Sequence, residues 1–290
     1  MERLGKLVVV GVGLIGGSFS LALKDAGAVG RVIGVGRGAA NIRRALALGI
    51  IDAAGAYDEA TFGDADLVML AMPVGQMGAA MRAIAPVLGA RTVVTDAGST
   101  KADVVALAKR ELKKSLSRFV PGHPIAGTEK SGAEASFREL FRDRKVVLTP
   151  LKGTDPAALA LVRGAWERCG AAVFELDHRE HDAVLATVSH LPHLLAFALV
   201  DQVARRRDAK RLFSFAAGGF RDFTRIASSH PEMWRDICLA NRKALLRELA
   251  HYGGRLERLK RMLERGDAKG IEALFSGARE ARDRWLKNRE

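Results

Sequence analysis

The sequence reads Gly11-Val12-Gly13-Leu14-Ile15-Gly16 directly after an apolar run, Leu7 to Val10. The three glycines have the GxGxxG spacing, and the amphipathic pattern from Ser18 to Asp25 predicts a helix behind them. In such a strand–turn–helix unit the first glycine permits the tight turn. The second lets the backbone approach a pyrophosphate, and the third lets the helix pack against the strand. The stretch therefore predicts a dinucleotide site that includes Gly11, Gly13, Leu14, Ile15 and Gly16.

Residues 1–177 alternate short apolar segments with helical ones. The predicted strands are Leu7–Val10, Arg31–Val35, Leu67–Met72, Thr92–Thr95, a fifth that begins at Phe119-Val120, Val146–Leu148 and Ala172–Leu176. Apolar strands separated by helices are typical of a mostly parallel sheet that is covered on both faces. From residue 178 to 290 the strand patterns disappear and leucines fall at helical spacing. We therefore expect an α/β protein in which a Rossmann-type domain, residues 1–177, is followed by an all-helical domain, residues 178–290.

The formal net charge is +13, which permits nucleic-acid binding. Much of the excess lies in Arg205–Arg207 and in the tail from Arg255 to Arg289, which holds only Phe275 and Trp285 for base stacking. A basic surface that attracts anionic small molecules is the better interpretation. No apolar run looks long enough to span a bilayer, and the first strand does not have the form of a secretory signal. We expect a cytoplasmic protein that binds neither nucleic acid nor membrane.

The second predicted strand indicates which dinucleotide is bound. It ends in Val35-Gly36-Arg37-Gly38, without the carboxylate that usually holds the ribose 2′-hydroxyl of NAD. Arg37 is suited to a 2′-phosphate instead, so the sequence favours NADP over NAD. Alternatively, Arg37 is a surface arginine and NAD is held by other contacts. We also place Pro73, which stops the third predicted strand, in the cofactor site.

Two further segments follow predicted strands and carry reactive side chains. The segment Gly122–Gly132 places His123 in a rigid loop, where its near-neutral pKa suits acid–base catalysis. Ser99 lies in the segment Asp96–Lys101, after the fourth predicted strand, and loops at such strand ends line the ligand crevice. From the residues alone, His123 is equally well a structural histidine and Ser99 equally well a helix N-cap.

The sequence resembles the prephenate and arogenate dehydrogenases of tyrosine biosynthesis over nearly its whole length. The motifs that carry the resemblance are Gly11–Ser18, Thr95–Lys101, Gly122–Gly132, Ser189–His193, Gly218–Ala227 and Met233–Asp236. The resemblance implies an oxidative decarboxylation, in which a hydride passes from a ring carbon to the nicotinamide and the ring carboxylate leaves as carbon dioxide. It also implies that His123 accepts the hydroxyl proton and that Ser99 aligns the reacting groups.

The resemblance also implies how the dianionic substrate is held. Arg225 matches the carboxylate-binding arginine, and a guanidinium grips a carboxylate bidentately. Arg221 stands where many relatives have lysine. His193 matches the position that contacts the pyruvyl side chain, which favours prephenate over arogenate. Further substrate residues are expected at Thr128, Glu129 and Ser189, and an ionic network that gates the pocket at Glu129 and Asp222.

Three alternatives stay open from the sequence. The enzyme uses arogenate or both substrates, or the chain is a non-catalytic dinucleotide- or nucleic-acid-binding protein. A metal site is the third alternative, but hydride transfer from an activated ring alcohol needs no Lewis acid, so we expect no metal. Its ligands would come from His178, His181, Asp182, His190 and His193. The leucine-rich helical half also leads us to expect a homodimer.

Overall fold

The structure, a computed structural model, describes residues 2–128 and 130–287. Its main sheet contains β1 (Leu4–Val10), β2 (Val29–Val35), β3 (Ala53–Ala54), β4 (Leu67–Leu70), β5 (Val93–Asp96) and β6 (Phe119–Val120). Every pair is parallel, and the order is β3-β2-β1-β4-β5-β6. The predicted Rossmann-type parallel sheet is therefore confirmed, with the two-residue β3 as a strand that the pattern missed.

The apolar strands of this sheet are buried because helices cover both faces. Successive side chains of a strand point to opposite faces, and in β1 Leu7 and Val9 enter one apolar cluster while Val8 and Val10 enter the other. A strand buried on both sides therefore reads as a continuous apolar run. The helices of this part are α1 (Leu14–Asp25), α2 (Ala39–Ala47), α3 (Glu59–Phe62), α4 (Val74–Ile84), α5 (Ala102–Glu111) and α6 (Pro156–Arg168).

A second, smaller sheet stands beside the first and departs from the prediction. It consists of β7 (Gly122–Pro124), β8 (Lys145–Leu148) and β9 (Ala172–Glu175), in that order. β7 runs antiparallel to β8, whereas β8 and β9 are parallel. The prediction that Gly122–Pro124 is part of a loop is therefore wrong. Three residues bounded by glycine and proline are too few to show a strand pattern.

The remainder of the chain is helical, as predicted. It contains α7 (His178–Leu185), a π-helical turn (Ala186–His190), α8 (Leu191–Ala204), α9 (Ala209–Ser214), α10 (Gly218–Thr224), a 3₁₀ turn (Arg225–Ser228), α11 (Pro231–Ala240), α12 (Arg242–Glu264) and α13 (Ala268–Lys287). The wide π turn ends just before Pro192, which has no N–H to donate to the preceding turn.

The segment from α7 through α8 forms one continuous helix, His178–Ala204. Its 27 residues are long and apolar enough to cross a membrane, so the prediction that no run reaches that length is wrong. Length and composition alone are weak evidence for a membrane span, and this helix buries polar side chains inside the protein. His181 is 0% exposed, Asp182 5% and His190 1%, and all three have hydrogen-bond partners within the fold.

The chain forms two compact units, Met1–Arg242 and Lys243–Glu290. The first unit contains both sheets and the helices through α11. The second consists of most of α12 together with α13. The structure changes from mixed to helical near the boundary predicted between residues 177 and 178. That this position also separates two domains stays a prediction.

Candidate active site

A cavity of about 740 Å³ opens where β1 and β4 end, between the two halves of the strand order. Open parallel sheets bind ligands at this point, because the chain leaves the two central strands in opposite directions. Both the glycine loop and residues far along the chain line the cavity. The predicted site residues that line it are Gly13, Leu14, Ile15, Pro73, Ser99, His123, Thr128, Ser189, His193 and Arg225.

The glycine loop has the geometry of a dinucleotide cradle. Gly11 has φ +98°, and a Cβ there would lie 2.6 Å from the Ala71 carbonyl oxygen, so both the turn and the close approach require glycine. A Cβ on Gly16 would lie 2.7 Å from Val9 Cγ1, which confirms that this glycine lets α1 pack against β1. Gly13 differs, because nothing lies within 4 Å of its Cβ position. The loop thus leaves room for a pyrophosphate at the N-terminus of α1.

Two single substitutions separate packing from cofactor binding in this loop. We expect Gly16→Ala to lower the melting temperature, because its methyl group meets backbone and Val9 with no space to move. Gly13→Ala, which meets open space in extended backbone, should leave the melting temperature nearly unchanged and weaken cofactor binding. Thermal unfolding and cofactor titration measure the two effects. Equal melting temperatures for the two variants would contradict this assignment.

Arg37 lies in the turn between β2 and α2, outside the residues that line the cavity. It is exposed, and its charge opposes the rise that burial causes in the pKa of Tyr57. Nearby, Asn41 joins two loops: its side chain donates to the Val12 carbonyl at 2.6 Å and accepts from the Ala133 amide at 2.9 Å. No local sequence pattern points to Asn41, because its two partners come from distant parts of the chain.

His123 lies on β7, 8% exposed, and not in a loop. Its Nδ1 is 2.8 Å from Nε2 of His181, so Nε2 is the ring nitrogen left for a molecule in the cavity. Burial lowers the pKa of His123 well below its usual value, and the neighbouring His181, Lys101 and His190 add to the effect. The imidazole is therefore neutral at physiological pH and can accept a proton.

Asp182 connects His181 to the start of α5. One carboxylate oxygen lies 2.8 Å from His181 Nδ1 and accepts the Lys101 amide at 2.8 Å, while the other accepts the Ala102 amide at 2.9 Å. The N-terminus of α5 is thus capped by a side chain from α7, and Lys101, not Ser99, occupies the N-cap position. The N-cap alternative for Ser99 is therefore wrong, and Ser99 lines the cavity.

A fully buried ion pair is hydrogen-bonded to Gly122, the residue that precedes His123 on β7. Lys101 Nζ pairs with Asp96, and both side chains are 0% exposed. Lys101 Nζ also donates to the Gly122 carbonyl at 2.7 Å, while the Gly122 amide donates to Asp96 at 3.1 Å. The pair thereby attaches the first residue of β7 to the end of β5. Loss of either partner would leave the other charge buried and uncompensated, and it would disturb the strand that carries His123.

His193 lies on α8 on another wall of the cavity. Its Nδ1 lies 2.9 Å from the Ser189 carbonyl, and its ring stacks on Trp234 with 3.6 Å between ring centroids. Burial lowers the pKa of His193, the Ser189 hydrogen bond opposes the shift, and the charge of Arg225 adds to it. A substrate carboxylate beside Arg225 would offset that charge and make the protonated ring easier to form.

The remaining predicted residues are placed differently. Arg221 does not line the cavity; its side chain is 83% exposed, and its Nε lies 3.8 Å from Oδ1 of Asp222, whose side chain is 80% exposed. Its substrate role, like the gating role of Asp222, stays a prediction. Glu129 lies outside the described residues. Within residues 2–128 and 130–287, no three His, Cys, Asp or Glu side chains are grouped so that they could hold a metal ion.

A dinucleotide cradle that shares a cavity with a buried neutral histidine and an arginine is the arrangement of an NAD(P)-dependent oxidoreductase. Comparison with known families matches residues 19–175 to the nucleotide-binding domain of prephenate dehydrogenase and residues 177–277 to its dimerization domain. The chain belongs to the prephenate dehydrogenase family. The resemblance inferred from the motifs is therefore confirmed.

Individual relatives agree with this assignment over most of their length. The chain is 36% identical to a prephenate dehydrogenase of Bacillus subtilis over 279 residues, 96% of this chain and 75% of that protein. It is 35% identical to a cyclohexadienyl dehydrogenase of Zymomonas mobilis, with 95% and 94% covered. A crystal structure of prephenate dehydrogenase from A. aeolicus, in complex with hydroxyphenyl propionate and NAD+, superposes with a TM-score of 0.88. That protein is 38% identical, and 98% of each chain is covered.

Proposed function

We propose that the protein is a prephenate dehydrogenase, which converts prephenate to 4-hydroxyphenylpyruvate and carbon dioxide. The observation that carries the proposal is the neutral His123, whose Nε2 is left for the same cavity that the glycine loop and Arg225 line. Membership of the family supports it independently. Proteins that only bind dinucleotides or nucleic acid have no need of such a buried proton acceptor beside the cofactor.

The proposed reaction balances without an added reactant. A nicotinamide dinucleotide held by the glycine loop would supply the acceptor for the hydride of the ring carbon that bears the hydroxyl. His123 Nε2 accepts the hydroxyl proton as that carbon becomes a carbonyl. The carboxylate then leaves as carbon dioxide, its bonding electrons make the ring aromatic, and the oxygen takes the proton back to give a phenol. Arg225 binds a substrate carboxylate through its guanidinium, and Ser99, which lines the same cavity, orients the hydroxyl.

A steady-state assay with prephenate and arogenate, each with NAD and with NADP, tests the proposal. We expect reduced cofactor and 4-hydroxyphenylpyruvate to form in equal amounts from prephenate. Failure of prephenate to reduce either cofactor would overturn the proposal. An enzyme that accepts only arogenate would keep the reaction class and change the substrate.

For the cofactor we propose NADP over NAD, because Arg37 follows β2 where NAD-preferring sites carry a carboxylate. Arg37→Asp should lower kcat/KM for NADP by about tenfold to a hundredfold, the range for losing a charged hydrogen bond, and leave NAD use unchanged or improved. Arg43→Asp, the same charge change at an exposed position of α2, is the matched control. An equal loss with both cofactors, or no loss with NADP, would contradict the proposed contact between Arg37 and the 2′-phosphate.

Use of both prephenate and arogenate is a second candidate, which one observation favours. Because the Ser189 carbonyl accepts from His193 Nδ1, the neutral ring presents a lone pair at Nε2. That lone pair suits the ammonium group of arogenate, whereas the keto group of prephenate requires the protonated ring. The cyclohexadienyl dehydrogenase among the relatives is consistent with broad specificity.

His193→Ala distinguishes the two candidates. For a prephenate enzyme we expect kcat/KM for prephenate to fall by about tenfold or more, the effect of one charged hydrogen bond, with a smaller loss for arogenate. The ratio of the two specificity constants, measured across pH, is the readout. An unchanged ratio would remove the argument from His193, and a larger loss for arogenate would favour dual use.

We further propose a homodimer, in which the helical region from residue 178 contributes the interface and part of the substrate site. Four leucines of α12 are exposed in the single chain, and a second copy would cover them: Leu246, Leu249, Leu256 and Leu263. The match of residues 177–277 to a dimerization domain supports this. We also propose a cytoplasmic location for this small-molecule dehydrogenase.

A further inference from the structure

Three buried side chains form a continuous hydrogen-bonded chain that ends at the cavity. His123 Nδ1 lies 2.8 Å from His181 Nε2, and His181 Nδ1 lies 2.8 Å from Asp182 Oδ1. The exposed fractions are 8%, 0% and 5%, so water does not compete for these bonds. His123 belongs to β7 and the other two residues to α7, so the chain crosses from the second sheet to the long helix.

Asp182, at the end of the hydrogen-bonded chain away from the cavity, is kept ionised by its surroundings. Burial acts to raise the pKa of Asp182, but hydrogen bonds from His181 and from the Ala102 and Lys101 amides bring it below its usual value. The two amides also lie at the N-terminus of α5, where a negative charge is favoured. Asp182 is therefore an ionised carboxylate at neutral pH, and it can only accept hydrogen bonds.

The direction of each hydrogen bond follows from that charge. His181 must carry its proton on Nδ1 to donate to Asp182, and burial lowers its pKa, so the ring is neutral and Nε2 has a lone pair. His123 must then carry its proton on Nδ1 to donate to that lone pair. Its own Nε2 is left unprotonated, and it is the ring nitrogen available to a molecule that enters the cavity lined by His123.

We propose that His181, oriented by Asp182, is a positioning residue that holds His123 in the Nδ1–H tautomer, with Nε2 as a proton acceptor toward the substrate hydroxyl. Its catalytic consequence rests on the function proposed above, whereas the tautomer itself does not. Without an acceptor at Nδ1, His123 is free to carry its proton on Nε2, and in that form it cannot accept the hydroxyl proton. When His123 is protonated, both of its N–H groups are satisfied, one by the substrate and one by His181.

The tautomer is tested directly by nitrogen NMR of the protein labelled with ¹⁵N-histidine, without substrate or cofactor. We expect the His123 signals to show a protonated Nδ1 and an unprotonated Nε2. In His181→Phe, a ring of similar size with no acceptor, the Nε2–H tautomer should appear. A protonated Nε2 in the unchanged protein would overturn the proposal, and this measurement needs no variant that folds.

Kinetics of two substitutions at the same position supply the second test. We expect His181→Phe to lower kcat by about tenfold to a thousandfold, with the KM for cofactor unchanged. His181→Gln retains an oxygen that can accept from His123 Nδ1 and should recover part of the loss. The matched control is His178→Gln. His178 lies on the same helix but takes no part in the hydrogen bonds from His123 to Asp182, so this variant should leave kcat unchanged. Equal losses for Phe and Gln would indicate a packing role and contradict the proposal.

The two sets of measurements also separate this inference from the proposed function. A protein with the expected tautomer that oxidises neither prephenate nor arogenate would contradict the function alone. An active dehydrogenase with the Nε2–H tautomer would contradict the positioning role alone.

Discussion

His123→Asn is expected to lower kcat with prephenate by about 10²- to 10⁴-fold, the usual contribution of a positioned acid–base group. Asparagine keeps a polar side chain of similar reach, but it cannot accept a proton at neutral pH. The KM for prephenate should change little, because the carboxylate contact assigned to Arg225 is unaffected. Steady-state kinetics at saturating cofactor measure both constants.

Two controls make this result interpretable. Cofactor titration of His123→Asn should give the affinity of the unchanged protein, since His123 lies on β7 and the glycine loop follows β1. His251→Asn makes the same substitution at a histidine whose side chain is 78% exposed, and it should retain full activity. A kcat for His123→Asn close to that of this control would exclude His123 as the proton acceptor.

Arg225→Ala is expected to raise the KM for prephenate by about tenfold to a hundredfold, with a smaller effect on kcat. The range corresponds to the loss of hydrogen bonds to a charged group, about 1.5 to 3 kcal/mol. Arg225 lines the cavity, and its positive charge contributes to the lowered pKa of His193, so a carboxylate near both residues would lose a cation. Arg225→Lys should give an intermediate KM, because lysine keeps the charge without the planar fork.

The neighbouring Arg221 is the matched comparison for this prediction. Its side chain is 83% exposed and lies 3.8 Å from Asp222, and it is not among the cavity residues. If only Arg225 binds the substrate, Arg221→Ala leaves KM unchanged. A similar rise in KM for both variants would show that Arg221 also reaches the substrate in the working enzyme. A rise for Arg221→Ala alone would reverse the assignment.

The parallel sheet was predictable because its strands are buried on both faces and its first turn demands glycine. β1 reads as an unbroken apolar run, and Gly16 leaves no space for a side chain against Val9. Elements with weaker local patterns were not predictable in the same way. β3 has two residues and pairs only with β2, and β7 has three, so neither is long enough for a periodicity to appear.

Site residues that belong to a recognisable motif could be predicted from the sequence. Residues whose role depends on a contact between distant segments could not. His123, Ser99, His193 and Arg225 were found through their motifs, and the structure brings all four to one cavity. The connection from His123 to His181 spans 58 residues of sequence, and no local pattern encodes it. In the sequence His181 stood out only as a possible metal ligand, whereas in the structure both of its ring nitrogens have partners.

The depth at which His123 is buried has a consequence for the proposed reaction. Prephenate and the oxidised cofactor give 4-hydroxyphenylpyruvate, carbon dioxide and reduced cofactor with no proton released overall. The hydroxyl proton only resides on the imidazole between oxidation and decarboxylation, and it then returns to the same oxygen. A histidine that is 8% exposed and a weak base therefore needs no route for protons to solvent, and water can stay excluded from hydride transfer through decarboxylation.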